Sequence, residues 1–269
     1  MKLLTGSTGM IGRNIKELSK PMLCPTHAEL DLTNSEQVKD YLLHNKPEVI
    51  IHCASNDGEE STKEKGEEIC LFDNLRMFHN LAESGIPMIT FCTGREIEDR
   101  SYKNGEYVFS KYLIKELALK KYNHILVVQI WGCFGKYERP FRFIADNIQR
   151  VKTGLPIKVG ENKLFSYVYV KDLVKKIGLL ASDIVSVADP WEIPLLKSLK
   201  DCNKNPLKIV SYTLPLLEYA KVLKKITGSP HEIIVEKENF YHSYTGLNNS
   251  KTDYTPLEEA ITDYWKEVK

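Results

Sequence analysis

Lys2-Leu-Leu-Thr-Gly6-Ser-Thr-Gly9-Met-Ile-Gly12 is the stretch on which the fold turns. Its opening residues make a short apolar run of strand length. Three glycines follow, and a helical pattern begins at Met10. Glycines there let the backbone turn sharply and approach a pyrophosphate closely, and the helix N-terminus offers unpaired N–H groups and a partial positive charge. A glycine triplet alone is a weak signal, but one set between strand and helix predicts a dinucleotide loop, with Gly6, Thr8, Gly9 and Gly12 as contacts.

Outward from this loop the first two-thirds of the chain alternate short apolar runs with amphipathic segments. Strands are predicted at Lys2–Thr5, Met22–Pro25, Val49–Ala54, Met88–Cys92 and Ile125–Ile130. Helices are predicted at Met10–Ser19, Ser35–His44, Cys70–Ser84 and Tyr107–Tyr122. Such alternation implies an α/β fold, a doubly wound parallel (Rossmann) sheet covered on both faces. Beyond about Lys136, prolines and glycines punctuate shorter elements, and a last helix is predicted over Thr255–Val268. The expected division is a cofactor-binding domain over 1–150, with some later segments rejoining it, and a smaller α/β substrate domain over 151–269.

Composition narrows the function classes. Lys and Arg total 37 against 36 for Asp and Glu, so no nucleic-acid or membrane-surface partner is expected. The 6 cysteines lack CxxC spacing and the 7 histidines include no HxxxH pair, so they read as reduced core residues without a metal. No uncharged run is long enough to span a bilayer and no signal-type segment opens the chain; the expected location is the cytoplasm.

Tyr107-Val-Phe-Ser-Lys111 places a phenol and an ammonium four residues apart on one helical face. The lysine charge can lower the phenol pKa, fitting Tyr107 to exchange a proton with a sugar hydroxyl or carbonyl. Thr93, at the C-terminal end of its strand, is the candidate second hydroxyl. Asp31 either caps the helix at Ser35 or, if Thr33 or Asn34 caps instead, accepts from the adenine amino group. Where the cofactor's 2′ position is read, Pro25-Thr26-His27 offers no acid, which favours NADP over NAD with Thr26 and His27 as contacts. Arg139-Pro-Phe-Arg142 is a candidate diphosphate anchor. Trp131, Phe134 and Tyr137 are read as two core residues and one, with Trp131 the candidate, that stacks on the substrate. Arg95 heads a charged run that reads as a solvated loop able to touch substrate.

These motifs, in order, resemble those of the extended short-chain dehydrogenase/reductases, the NAD-dependent epimerase/dehydratase family: GSTGMIG at 6–12, LDLT at 30–33, VIIHCAS at 49–55, Asn74, FCTG at 91–94, YVFSK at 107–111, WGCFG at 131–135 and YVYVKDL at 167–173. The resemblance implies a Thr93–Tyr107–Lys111 triad, with Lys111 also on the nicotinamide ribose. It adds Met10 and Ile11 to the pyrophosphate cradle, sets Asp31 and Leu32 beside adenine, and lines the cofactor with Cys53, Ala54, Ser55 and Asn74. In proteins similar to this one the helices at Cys70–Ser84 and Tyr107–Tyr122 often form a homodimer interface; Phe109, Leu113 and Leu117 either contribute to such a contact or are buried within one chain.

Departures from the pattern bear on the substrate. Thr93 and Tyr107 are 14 residues apart, shorter than the family's usual pocket-forming segment. Phe165 stands where an arginine often holds the nucleotide phosphates, so Lys163, Arg142, Arg139 or Lys136 must supply that charge. Gln129 replaces another usual arginine. Gly94 and Arg95 occupy the places of the dehydratases' acid pair, and Arg95 that of the epimerase/reductases' cysteine, so neither activity is expected. What remains is NAD(P)H reduction of a 4-keto-6-deoxy nucleotide sugar, in the setting of polysaccharide biosynthesis, or 4-epimerisation with bound NAD. A dinucleotide-binding regulator without catalysis is the alternative from another class.

Overall fold

The computed structural model describes residues 1–57, 68–94, 105–186, 205–238, 245 and 254–268. The chain forms two compact units, Met1–Gln129 with Val174–Leu207, and Ile130–Leu173 with Lys208–Lys269. The division lies at the end of a strand near 130, whereas position 150 falls inside a helix of the second unit.

In the first unit, β1 (Lys2–Thr5), α1 (Met10–Leu18), α2 (Ser35–Asn45), β2 (Val49–His52), α3 (Glu68–Ala82), β3 (Met88–Thr93), α4 (Glu106–Lys121) and β4 (Ile125–Ile130) follow one another. The sheet order is β1-β2-β3-β4, continued by a short strand at Leu207–Lys208. β1 pairs parallel with β2 and β2 with β3, Thr5 standing opposite His52 and His52 opposite Thr90. β2 is buried at every position, β3 and β4 at all but the last, as a sheet covered on both faces requires. Leu3, Ile50, Phe78, Leu81, Met88 and Ile114 share one core cluster, and each such side chain contributes about 1.5–3 kcal/mol on burial.

The predicted strand at Met22–Pro25 contracts to one parallel bridge, Leu3 with Leu23. Leu23 N–H donates to Lys2 O at 2.9 Å and its carbonyl accepts from Leu4 N–H at 2.8 Å. Pro21 and Pro25 lack the N–H groups that would extend the ladder. α4 buries Val108, Ser110, Lys111, Ile114 and Ala118 and packs beside α3. Leu117 of α4 and Phe72 of α3 are exposed.

The second unit holds β5 (Gly132–Phe134), α5 (Phe143–Lys152), β6 (Lys158–Val159), β7 (Leu164–Tyr169) and α6 (Val170–Ser186), whose later turns belong to the first unit. After β8 (Leu207–Lys208) come β9 (Tyr212–Pro215), α7 (Leu216–Thr227), β10 (Ile234–Val235) and α8 (Leu257–Glu267). β7 pairs parallel with β5 and antiparallel with β9, and β10 runs parallel to β6. Phe134 is fully buried among the rings of Tyr167, Tyr169, Tyr212 and Tyr264. α6 starts at Val170, and the carboxylate of Asp172 in its first turn accepts from Thr255 N–H and its hydroxyl at 3.1 and 2.7 Å. Among the described residues no helix is long and apolar enough to cross a membrane.

Candidate active site

The parallel register sets the ends of β1, β2 and β3 on one sheet edge, where Gly6, Cys53 and Thr93 emerge. Gly6 has φ 68, a left-handed backbone that favours glycine, and a Cβ there would lie 2.4 Å from Ala54 N. Gly12 is closed just as tightly, since an added Cβ would meet Gly6 O at 2.1 Å. Gly9 is the N-cap of α1, accepting from Arg13 N–H, and the first turn contains no acid. The glycines thus bring backbone against backbone at a helix N-terminus carrying no negative side chain. That arrangement fits a dinucleotide pyrophosphate. Thr8 is exposed beside the loop, and Met10 and Ile11 are half-buried in the first turn.

The adenine side differs from expectation. Asn34 caps α2, accepting from Glu36 and Gln37 N–H groups. Asp31 is nevertheless engaged, its Oδ1 accepting from Thr33 N–H and hydroxyl at 2.9 and 2.7 Å, and the hydroxyl bond leads in holding its pKa below the usual carboxylate range. Leu32 is a core side chain whose carbonyl accepts from Asn80. Thr26 and His27 are exposed, and Thr26 donates through N–H and hydroxyl to Glu29 Oε2 at 2.7 and 2.9 Å. Glu29 therefore brings an acid to a segment that in sequence shows none. The signal was the i, i+3 spacing of Thr26 and Glu29 across a turn.

Lys111 is 7% exposed, and its Nζ lies 5.7 Å from the centroid of the Tyr107 ring one turn earlier. Burial lowers the Lys111 pKa from the ordinary lysine value. His52, bonded to Thr5 Oγ1 at 2.8 Å, is pushed down to about 3, by burial first and the Lys111 charge second, and stays neutral. Burial likewise pushes Cys53 up to about 12 and Cys70 to about 11, so these thiols are not nucleophiles. His52, Cys53 and Cys70, whose pKa values Lys111 influences, are thus all uncharged at neutral pH. Thr93 ends β3 half-buried, and Gln129 Nε2 donates to its carbonyl at 3.4 Å.

Asn74, expected to touch cofactor, has its amide committed within the protein. Nδ2 donates to Asn56 O at 2.8 Å and to Ser110 Oγ at 3.0 Å, while Oδ1 accepts from Asn56 N–H at 2.8 Å and from Ser55 Oγ at 3.4 Å. Ser110 Oγ in turn donates to Tyr107 O at 2.7 Å. Asn74 thereby ties the loop after β2 to the helix that carries Tyr107 and Lys111. Ser110 lies within the YVFSK motif, but only the contact reveals its part. Asn74→Ala should destabilise the protein by roughly 2–4 kcal/mol, because it strands buried polar groups, and Ser110→Ala by about 1 kcal/mol. Urea unfolding of the two variants checks the order. Equal effects would remove Asn74 from the centre of the network.

The remaining candidates lie in the second unit, apart from Arg95, which is outside the described residues. Trp131 is buried, leaving little ring surface for stacking. Lys163 is half-buried and pairs with Glu161 at 3.4 Å. Phe165, in the place of the usual arginine, packs its ring 4.5 Å from Tyr167. Arg142 is exposed at the N-cap of α5, its guanidinium 5.7 Å from the Phe141 ring, with Arg139 at 5.9 Å from the same ring.

A model of the NAD dependent epimerase/dehydratase family matches residues 2–190. The chain belongs to this family. It is an NAD(P)-dependent enzyme of the extended short-chain dehydrogenase/reductase type. The GDP-L-colitose synthase of Yersinia pseudotuberculosis is 23% identical over 297 residues, spanning 96% of this chain and 90% of that protein. Two solved structures share the fold. The dTDP-4-dehydrorhamnose reductase of Bacillus anthracis, in complex with NADP, has a TM-score of 0.74 at 17% identity, covering 99% of this chain and 97% of that one. The UDP-glucose 4-epimerase of Thermotoga maritima has a TM-score of 0.71 at 17% identity, covering 99% and 98%. The Rossmann expectation, and with it an NAD or NADP cofactor, holds for this epimerase/dehydratase family member.

Proposed function

We propose that this family member reduces the 4-keto group of a 4-keto-6-deoxy nucleoside-diphosphate sugar. NADPH, when bound, supplies the hydride. Tyr107 gives its phenolic proton to the C4 oxygen, Lys111 stabilises the phenolate left behind, and the Thr93 hydroxyl donates to the same oxygen. The observation that carries this reading is the buried Lys111 ammonium one turn from Tyr107. An ammonium so placed stabilises the phenolate more strongly than one in water would. Gly6, Gly9 and Gly12 hold the pyrophosphate, and Arg142 with Lys163 the substrate diphosphate. The GDP- and dTDP-sugar enzymes among the relatives support the substrate class.

A second reading, 4-epimerisation of a nucleotide sugar with bound NAD, is favoured by the Glu29 carboxylate at Thr26, because an acid near the 2′ position repels a 2′-phosphate. The two part on one experiment. The protein is incubated with NADPH or NADH and a panel of 4-keto-6-deoxy sugar nucleotides while absorbance of the reduced nicotinamide is followed. The reductase consumes one reduced cofactor per ketone. No oxidation, together with C4 inversion of a 4-hydroxy sugar nucleotide without net cofactor change, would replace the first reading by the second.

A further inference from the structure

Residues 135–142 join β5 to α5 through two consecutive turns, Glu138 N–H to Gly135 O and Arg142 N–H to Arg139 O, both at 3.0 Å. Within the first of these Tyr137 has φ 68, a left-handed backbone that few residues other than glycine adopt. The outer side of this segment is basic and aromatic. Arg139 and Arg142 flank Phe141, whose ring is 56% exposed, and Lys136 Nζ lies 4.9 Å from the Tyr137 ring centroid. The one acid of the segment is turned inward. Glu138 is 9% exposed, both its carboxyl oxygens are buried, and the group they approach is the Tyr264 hydroxyl. The titratable groups facing it are Cys133 of β5, Arg142 at the start of α5 and Tyr264 of α8.

A buried carboxyl that meets a phenol hydroxyl but no ion-pair partner among the described residues is most stable uncharged. Burial pushes the Glu138 pKa up to about 8 against the opposing pull of Arg142, so at pH 7 it carries its proton. A neutral Glu138 leaves the Arg142 charge to an anion outside. An ionised Glu138 draws Arg142 to itself and sets a negative charge beneath the segment.

We propose that Glu138 is a positioning residue which, by remaining uncharged beneath residues 136–142, leaves Arg142 to the diphosphate of the substrate, and that its ionisation releases that diphosphate. The inference rests on reading this segment as the diphosphate anchor. Affinity is then constant below about pH 8 and falls as pH rises through it.

The test is calorimetric titration with GDP, UDP and dTDP at pH 7 and pH 9, NADPH being kept saturating to fill the dinucleotide site. For wild type, Kd should rise about tenfold between the two pH values, the effect of one added charge a few residues from the anion. Glu138→Gln, which fixes the neutral state at nearly the same volume, should hold Kd within about twofold across that range. Both proteins meet the same ligand, so their ratio cancels the ligand's own titration. A second readout is stability without ligand. A carboxyl whose pKa is raised by folding loses stability as pH rises from its unfolded value through the folded one, so the Gln variant should gain on wild type between about pH 4.5 and 8 and level off above. If Glu138→Gln loses affinity with pH as wild type does, or is already weaker at pH 7, the inference fails while the anchor stands. If Arg142→Ala binds all three diphosphates as wild type does, or wild type binds none, the anchor fails and the inference with it.

Discussion

Tyr107→Phe should lower the rate of ketone-dependent NADPH oxidation by about a thousandfold, within the range removed when a positioned acid is lost from a proton-transfer step. The variant keeps the ring and deletes only the hydroxyl. Tyr107 is itself half-buried, whereas the buried residues of the helix are Glu106, Val108, Ser110, Lys111, Ile114 and Ala118. The fold and the dinucleotide site should therefore survive, with the NADPH dissociation constant within about threefold of wild type. Lys111→Met tests the other half of the pair. It removes the charge that stabilises the phenolate and the proposed ribose contact, so it should lower kcat and weaken NADPH together, whereas Tyr107→Phe lowers kcat alone. Single-turnover absorbance together with NADPH fluorescence titration separates these two patterns. A Tyr107→Phe enzyme retaining a tenth of the wild-type rate would remove Tyr107 from the acid role and leave the dinucleotide loop untouched.

The legible parts of the chain were those where one local rule decides the outcome. β1, α1, α2 and β4 lie within a residue of their predicted bounds, because apolar runs, the glycine turn and the Asn34 cap act over a few residues. The strand at Met22–Pro25 was overcalled because an apolar run carries no record of how many N–H groups find partners, and the flanking prolines reduce it to Leu23. In α4 the sequence displays two plausible faces, Tyr107 with Lys111 and Phe109 with Leu113. The structure buries a third, built on Val108 and Ile114, and takes Lys111 inward with it. Asn74 and Glu29 show the limit on the candidate site. Each was settled by a partner across a turn or in another element, Asn56 and Ser110 for the first and Thr26 for the second, and such pairing is invisible to a motif. Glu138 carries no motif at all; only the turn that buries it marks it out.

The three glycines of the opening motif separate, on geometry, into two kinds, and their alanine variants should separate too. At Gly12 an added Cβ would lie 2.1 Å from Gly6 O, 2.8 Å from Gly6 C and 2.9 Å from Ser7 Cα, all backbone atoms that cannot rotate aside. Gly12→Ala must therefore displace the loop from α1 even without cofactor, and should cost the unliganded protein about 3 kcal/mol or more in urea unfolding. At Gly9 the nearest atom to an added Cβ is Gly6 O at 3.6 Å, an ordinary contact, and φ is −78. Gly9→Ala should cost the unliganded fold only about 1 kcal/mol, the difference between glycine and alanine at an N-cap. Its effect should appear on binding, because the methyl group occupies the space through which a pyrophosphate approaches the first-turn N–H groups. The NADPH and NADH dissociation constants should rise by at least about thirtyfold, as expected when a close backbone approach is blocked. Unfolding without cofactor and calorimetric titration with it, run on both variants, read the two effects independently. A Gly9→Ala protein that binds either dinucleotide like wild type would show that the pyrophosphate lies elsewhere. A Gly12→Ala protein as stable as wild type would show that the loop and α1 are not locked together by the missing side chain.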